Sequence, residues 1–176
     1  LDDFDKVSAE ASALPPGSEG LVLLPYFLGE KTPIFDTNAR GVFFGLSLNH
    51  RREHLFRAAL EAVAFGFRHH VDVLAEMKAD VKRVYLSNGG AKSELWKKIV
   101  GGVIGKPAEY VPSNPGLCLG VALITMEATG LSQSWAALEK VLSSRRRIDF
   151  SQESHALYEP FYDIYRKLYD QLQPLF

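Results

Sequence analysis

The chain has 176 residues, 47% hydrophobic, 23% charged and 11% aromatic, with 20 Lys and Arg against 21 Asp and Glu for a formal net charge of -1. This composition excludes intrinsic disorder, and the charge balance excludes the positive field that draws nucleic acid or an anionic membrane surface. One cysteine, Cys118, excludes an internal disulfide and a cysteine-rich zinc cluster, and it suits a reducing, cytoplasmic setting.

No apolar run approaches the ~20 residues of a membrane-spanning helix. The first residue is Leu1, and the stretch after it has neither the basic nor the apolar region of a signal peptide. We expect a piece of a longer polypeptide. In chain order, Ser8–Gly20 is rich in Ala, Ser, Pro and Gly, and Pro15–Pro16–Gly17 stops a helix, which predicts a short helix and then a loop. Leu21–Leu28 is an apolar run between Gly20 and Gly29, short enough for a buried strand. A polar loop, Gly29–Arg40, separates it from Gly41–Leu48, a second stretch of strand composition.

From Arg51 to Ala79, Phe56, Leu60, Val63, Phe67, Val71, Leu74 and Met77 fall at steps of three and four, which predicts a long helix with that face inward and Asn49 as its cap. Arg83–Leu86 reads as a strand. Ser93 is placed to cap a helix carrying Leu95, Trp96, Ile99, Val100 and Val103 on one side and ending at Gly105. A strand at Ala108–Val111, the loop Pro112–Gly116 and an apolar helix at Leu119–Ala128 follow. The alternation predicts an α/β architecture with parallel strands under helices, and only helices after it. Ser134–Leu142 reads as a short amphipathic helix and Arg145–Arg147 as a solvated loop. Tyr158, Phe161, Tyr162, Tyr165, Leu168, Tyr169 and Leu172 form a helical stripe expected to dock on the sheet, with Pro160 in its first turn or at a kink.

The segment Tyr85–Ser93 is the most informative: a strand leaves the sheet through Gly89 and Gly90 directly into a capped helix. Two glycines let a planar ring or phosphate approach the backbone, and the first N–H groups of a helix favour an anion. Glycine pairs also end strands for conformational reasons, so both readings stand. The Pro112–Gly116 loop follows the next strand, and in a parallel arrangement both loops open at one sheet edge, where ligands collect. Gly101–Pro107 is not a phosphate-binding loop: it is one residue short, and Pro107 replaces the residue that would ligate magnesium. Its glycines read as close helix packing. His50, Glu53 and His54 match a zinc-hydrolase pattern, yet they lack a third ligand and sit beside Arg51 and Arg52. Glu30, Lys31, Thr32, Asp36, Asn38 and Arg40 crowd one loop, which suits either simple solvation or contact with a partner.

Taken together, Leu23–Pro25, Gly29–Pro33, Asn38–Leu46, His54–Leu55, Arg57–Phe65, Asn88–Ser93 and Leu119–Ala122 resemble, in order and spacing, the C-terminal domain of the FGGY carbohydrate kinases, most closely the xylulose-kinase-like branch. The resemblance implies an actin-like ATPase domain with a ribonuclease-H-like core and helices on a mixed sheet. Residues 1–20 would be a helix and loop of that domain, and 21–176 its nucleotide-binding body. It also implies ATP and Mg2+ as cofactors, with Gly89, Gly90, Ala91 and Ser93 inheriting the nucleotide contacts. An N-terminal sugar-binding domain of the same protein would supply the catalytic Asp and most sugar contacts, so this segment alone should be inactive. Homodimers are the family's common assembly. The rival of another class is a non-catalytic actin-like module that binds a partner through the Gly29–Arg40 loop and the C-terminal helix.

Overall fold

The computed structural model describes residues 2–87, 89–112, 117–131, 139, 143–149 and 151–176. Helix α1, Asp2–Ser12, starts well before the expected Ser8. It ends ahead of Pro15, and the chain then makes a left-handed turn in which Gly17, Ser18, Glu19 and Gly20 all have positive φ. Strand β1, Val22–Leu24, is buried throughout and pairs antiparallel with β2, Val42–Phe44, in the register Val22 to Phe44. The expected apolar run to Leu28 stops as a strand at Pro25, which has no N–H to give a ladder, and Phe27 and Leu28 are exposed.

Helix α2, Arg52–Glu76, forms as its periodicity predicts, and Phe56, Leu60 and Val71 of the predicted stripe pack against the core, but the most deeply buried face is another one. His54, Arg57, Ala58, Glu61, Ala62, Phe65 and His69 are buried, whereas Val63, Phe67, Leu74 and Met77 of the predicted stripe are substantially exposed. The reason is polar pairing. Glu61 Oε1 accepts from Arg57 Nε at 2.8 Å and from Gly17 N at 3.0 Å, and Arg57 also donates to the Ala11 carbonyl and the Tyr158 hydroxyl, each at 3.0 Å. Satisfied in this way, charged groups can occupy a core face. Asn49 does not cap the helix: Arg51 takes the cap position, and its N–H donates to His54 Nδ1 at 3.1 Å.

Strands β3, Val84–Leu86, and β4, Ala108–Tyr110, are parallel, joined by helix α3, Glu94–Ile104, which ends at Gly105 in the left-handed region. Helix α4, Leu117–Ala128, follows β4. A further strand, β5, Arg146–Ile148, then pairs antiparallel with β4 and completes a mixed three-stranded sheet. This corrects two expectations, that only helices follow α4 and that Arg145–Arg147 is a loop. The backbone of Arg146 and Arg147 joins the ladder while the side chains stay exposed. Apart from Glu139, the helix expected at Ser134–Leu142 lies outside the described residues up to Leu142.

Helix α5, Gln152–Leu172, is capped by Ser151, whose Oγ accepts from Ser154 N at 2.9 Å. Pro160 sits well inside it and not in the first turn. The tyrosine stripe docks as expected, on β1 and α3: Tyr158, Tyr162 and Tyr165 surround Phe65 of α2 with ring centroids 5.5–6.2 Å apart, and Tyr26 beyond β1 donates to the Tyr165 hydroxyl at 2.8 Å. Burial pushes the Tyr26 hydroxyl up to about 12, and Tyr158 and Tyr165 higher still. Gly102 of α3 does serve close packing: a Cβ there would stand 2.8 Å from Ser154 Oγ and 2.9 Å from the Tyr158 ring, so α3 and α5 can meet only at a residue without one.

Candidate functional site

Strand β3 leaves the sheet at Leu86, beside the point where β4 ends at Tyr110, so Ser87 and Val111 depart from the same edge. The β3 exit does not run straight into α3. One turn of 3-10 helix, Gly89–Lys92, intervenes. Ser93 then caps α3 as its type and position predict: its Oγ accepts from Trp96 N at 3.2 Å, and its own N–H is taken by the Gly90 carbonyl at 3.1 Å. First-turn amides of such a helix have no intrahelical acceptor and form its positive end. The one carboxylate in that turn, Glu94, is bound by Lys97 Nζ at 2.6 Å, and the Lys97 ammonium lies 3.9 Å from the Tyr110 ring centroid. Its charge is thereby answered next to the helix terminus.

Beside this turn lies a cavity of about 790 Å3, enclosed by α1, α2 and the start of α3. Phe4, Phe56 and Trp96 give it aromatic walls, with Phe4 and Phe56 edge to face at 5.5 Å. Leu60 and Val63 add apolar surface, and Ser93 and Lys92 bring polar groups to the α3 end. The volume and the mix of apolar wall with a few polar groups fit a small-molecule site.

Of the residues predicted from sequence, Gly90 and Ser93 line this cavity. Ala91 is buried behind the turn, and Gly89 belongs to the same turn. Gly90 works differently from expectation. A Cβ there would stand 2.8 Å from Trp96 Nε1, so its missing side chain admits the indole over the turn, and the ring forms the adjoining wall. Of the Pro112–Gly116 loop, residues 113–116 lie outside the described residues. The contribution of α1 was not legible: Phe4 precedes the predicted helix, and Phe56 and Leu60, which pack against the core as assigned, line the cavity together with the more exposed Val63.

The His50, Glu53 and His54 pattern is engaged otherwise. His50 Nδ1 accepts from Ser47 N at 2.9 Å, His54 Nδ1 from Arg51 N, and His54 Nε2 stands 3.3 Å from a Glu19 oxygen. Among the described residues no group of three His, Cys, Asp or Glu is placed to hold a metal ion. The Gly29–Arg40 loop is tied to α2 and α5: Asp36 accepts from Asn38 N at 2.8 Å and from the Tyr169 hydroxyl at 3.0 Å, and His70 Nε2 lies 3.1 Å from Thr32 Oγ1. The backbone bond from Asn38, joined by the Tyr169 hydroxyl, holds the Asp36 carboxyl below the usual range.

Comparison with known proteins adds the family. The FGGY family of carbohydrate kinases, C-terminal domain, matches residues 2–129. The gluconokinase of Bacillus subtilis is 32% identical over 176 residues, covering 97% of this chain and 34% of that protein. The xylulose kinase of Lactococcus lactis is 31% identical, covering 94% of this chain and 34% of its own length. Among solved structures, the xylulose kinase from Rhodospirillum rubrum superposes with a TM-score of 0.80 at 38% identity over 98% of this chain and 34% of that one. The chain spans about a third of the length of the curated relatives it matches. Its fold is the actin-like α/β ATPase domain of these kinases. By the match over residues 2–129 and by the identities above, the chain belongs to the FGGY family of carbohydrate kinases.

Proposed function

We propose that this chain forms the nucleotide side of a carbohydrate kinase that moves the γ-phosphoryl group of MgATP onto a hydroxyl of a sugar or polyol, a xylulose-like acceptor being the first candidate. The observation that carries the nucleotide assignment is the cavity beside Gly90 and Ser93, whose aromatic walls end at the N-terminus of α3. Phe4, Phe56 and Trp96 offer flat surfaces for an adenine ring. Lys92 and the first-turn amides of α3 supply positive charge for phosphate oxygens. The named relatives, gluconokinases and xylulose kinases, support the reaction class.

An adenine nucleotide with magnesium supplies the phosphoryl group and part of the charge neutralisation its transfer needs. The part of this chain is to bind and orient. Ser93 fixes the start of α3, Gly90 allows Trp96 to fold over the turn, and Ala91 packs beneath it. Positioning of this kind accounts for much of the rate in phosphoryl transfer. The base and the acceptor contacts would come from a preceding N-terminal domain, and closure of the two would keep water from the phosphoryl group.

Calorimetric titration of the intact protein with ADP, together with a coupled kinase assay on xylulose and gluconate, tests the reading. Saturable binding that is lost in Gly90→Asp, along with activity on one of the two acceptors, is expected. An intact protein that binds no nucleotide but captures a protein partner through the Gly29–Arg40 loop would favour the non-catalytic module.

A further inference from the structure

The three-stranded sheet has β3 at one edge and β5 at the other, and the two edges are built differently. Arg146 and Arg147 on β5 are exposed, and charges of this kind keep an edge strand from pairing further. Strand β3 carries only Val84, Tyr85 and Leu86. The Val84 N–H donates to the Pro107 carbonyl at 3.0 Å, towards β4. Backbone groups alternate sides along a strand, so the N–H and C=O of Tyr85 point the other way, and among the described residues no strand meets them.

A groove of about 390 Å3 runs along that edge, lined by Val84, Tyr85, Leu86 and Ser87. Successive side chains of a strand stand on opposite faces, so a hollow that touches four in a row lies beside the strand's edge and not over one face. Phe67 and Val71 of α2 and Trp96 of α3 give it an apolar wall, with the Phe67 and Trp96 rings edge to face at 6.1 Å. Phe67 is 47% exposed and Tyr85 50%, so both the wall and the edge are open.

The groove selects its occupant by chemistry. Open main-chain groups call for another extended backbone, which lies about 4.8 Å from its neighbour in a sheet. The wall calls for apolar side chains at alternate positions of that backbone. Native proteins cover or guard an apolar edge, because pairing between copies leads to aggregation. Polypeptide to cover this one is at hand in the family: the chain matches a C-terminal domain and spans 34% of the Bacillus subtilis gluconokinase.

We propose that β3 takes up an extended strand of roughly three to five residues from the part of the polypeptide that precedes Leu1, with its alternate apolar side chains set against Phe67, Val71 and Trp96. The sheet thereby gains a fourth strand on the side away from β4. The inference rests on a longer polypeptide and not on the nucleotide assignment, although Trp96 also walls the cavity beside Gly90.

The test uses the intact protein carrying the photo-reactive substitution Phe67→benzoylphenylalanine. Irradiation and peptide mass spectrometry should join position 67 to a segment of the same chain that precedes Leu1. In the unsubstituted intact protein, hydrogen exchange resolved to single amides should show the Tyr85 N–H slowed roughly a hundredfold or more relative to an unstructured chain. A cross-link to a second copy or to another protein, a cross-link confined to residues 1–176, no cross-link at all, or a Tyr85 amide exchanging at the unstructured rate overturns the proposal. Neither readout involves a nucleotide, so failure of the kinase reading leaves both unchanged.

Discussion

Glu61 on α2 reaches back to Gly17: its Oε1 takes the Gly17 N–H at 3.0 Å and so holds the left-handed turn that leads into β1. Ser18, within that turn, donates to the other carboxylate oxygen at 3.4 Å. Four successive residues at positive φ are costly for Ser18 and Glu19 in particular, and such a conformation persists where its surroundings over-determine it. Arg57 supplies the balancing charge and ties the same carboxylate to α1 and α5.

Removing one partner of this pair should therefore be severe. Glu61→Gln leaves the Arg57 guanidinium buried without its counter-charge and should cost about 3 kcal/mol or more in urea unfolding. Burial pushes the Glu61 carboxyl above its usual range even against the attraction of Arg57, so desolvation is the larger effect. The double variant Arg57→Met with Glu61→Leu removes both charges but leaves the Gly17 N–H without its acceptor, so it should recover only part of the loss. A Glu61→Gln protein as stable as wild type would show that the pair does not hold the turn.

Gly102 sets the contact of α3 with α5. The Cβ of Gly102→Ala must displace Ser154 and the Tyr158 ring, and overpacking of this kind should cost roughly 1–3 kcal/mol. Thermal denaturation checks it, and Gly102→Ala combined with Ser154→Gly should be less destabilised than Gly102→Ala alone.

The Ser93 cap makes a smaller, local contribution. Ser93→Ala should cost about 1 kcal/mol, since the Trp96 N–H loses its acceptor, whereas Ser93→Asp should retain stability. Equal melting temperatures for all three proteins would rule the cap out as a contributor.

Acidification should weaken the fold through His69. Burial, helped by the charge of Arg166, lowers its pKa to about 4, against opposing contributions from Asp72 and Asp170. The folded protein therefore resists protonation that the unfolded chain accepts near 6.5. Stability from this group is complete above about pH 6.5 and is lost as the pH falls from there to about 4. His69→Gln should flatten the stability-against-pH curve over that interval, and a slope unchanged by the substitution would assign the loss to other groups.

Features set by a few neighbouring residues were legible in the sequence. The Ser93 cap, the Gly105 helix end, the parallel strands around α3 and the tyrosine stripe of α5 all depend on local pattern, and the structure has them. The orientation of α2 was not legible, because its inward face carries His69 and also Arg57, Glu61 and His54, whose partners beyond α2 lie on α1, the left-handed turn and α5. A count of apolar spacing assigns such residues to solvent. Strand β5 escaped for a related reason: its pairing with β4 is a backbone property that the side chains of Arg146 and Arg147 conceal. At the candidate site the glycine turn and Ser93 were readable, while the α1 wall was not, since nothing in Phe4 or Ser8 indicates which helices will stand opposite.

The most direct test of the account is calorimetric titration of ADP into the intact protein and its Gly90→Asp variant. An Asp side chain at position 90 must displace Trp96 and adds a negative charge next to the proposed phosphate-binding end of the cavity. Saturable binding to the wild-type protein and at least tenfold weaker binding to the variant are expected. Equal affinity in the two proteins, or no binding to either, would contradict it.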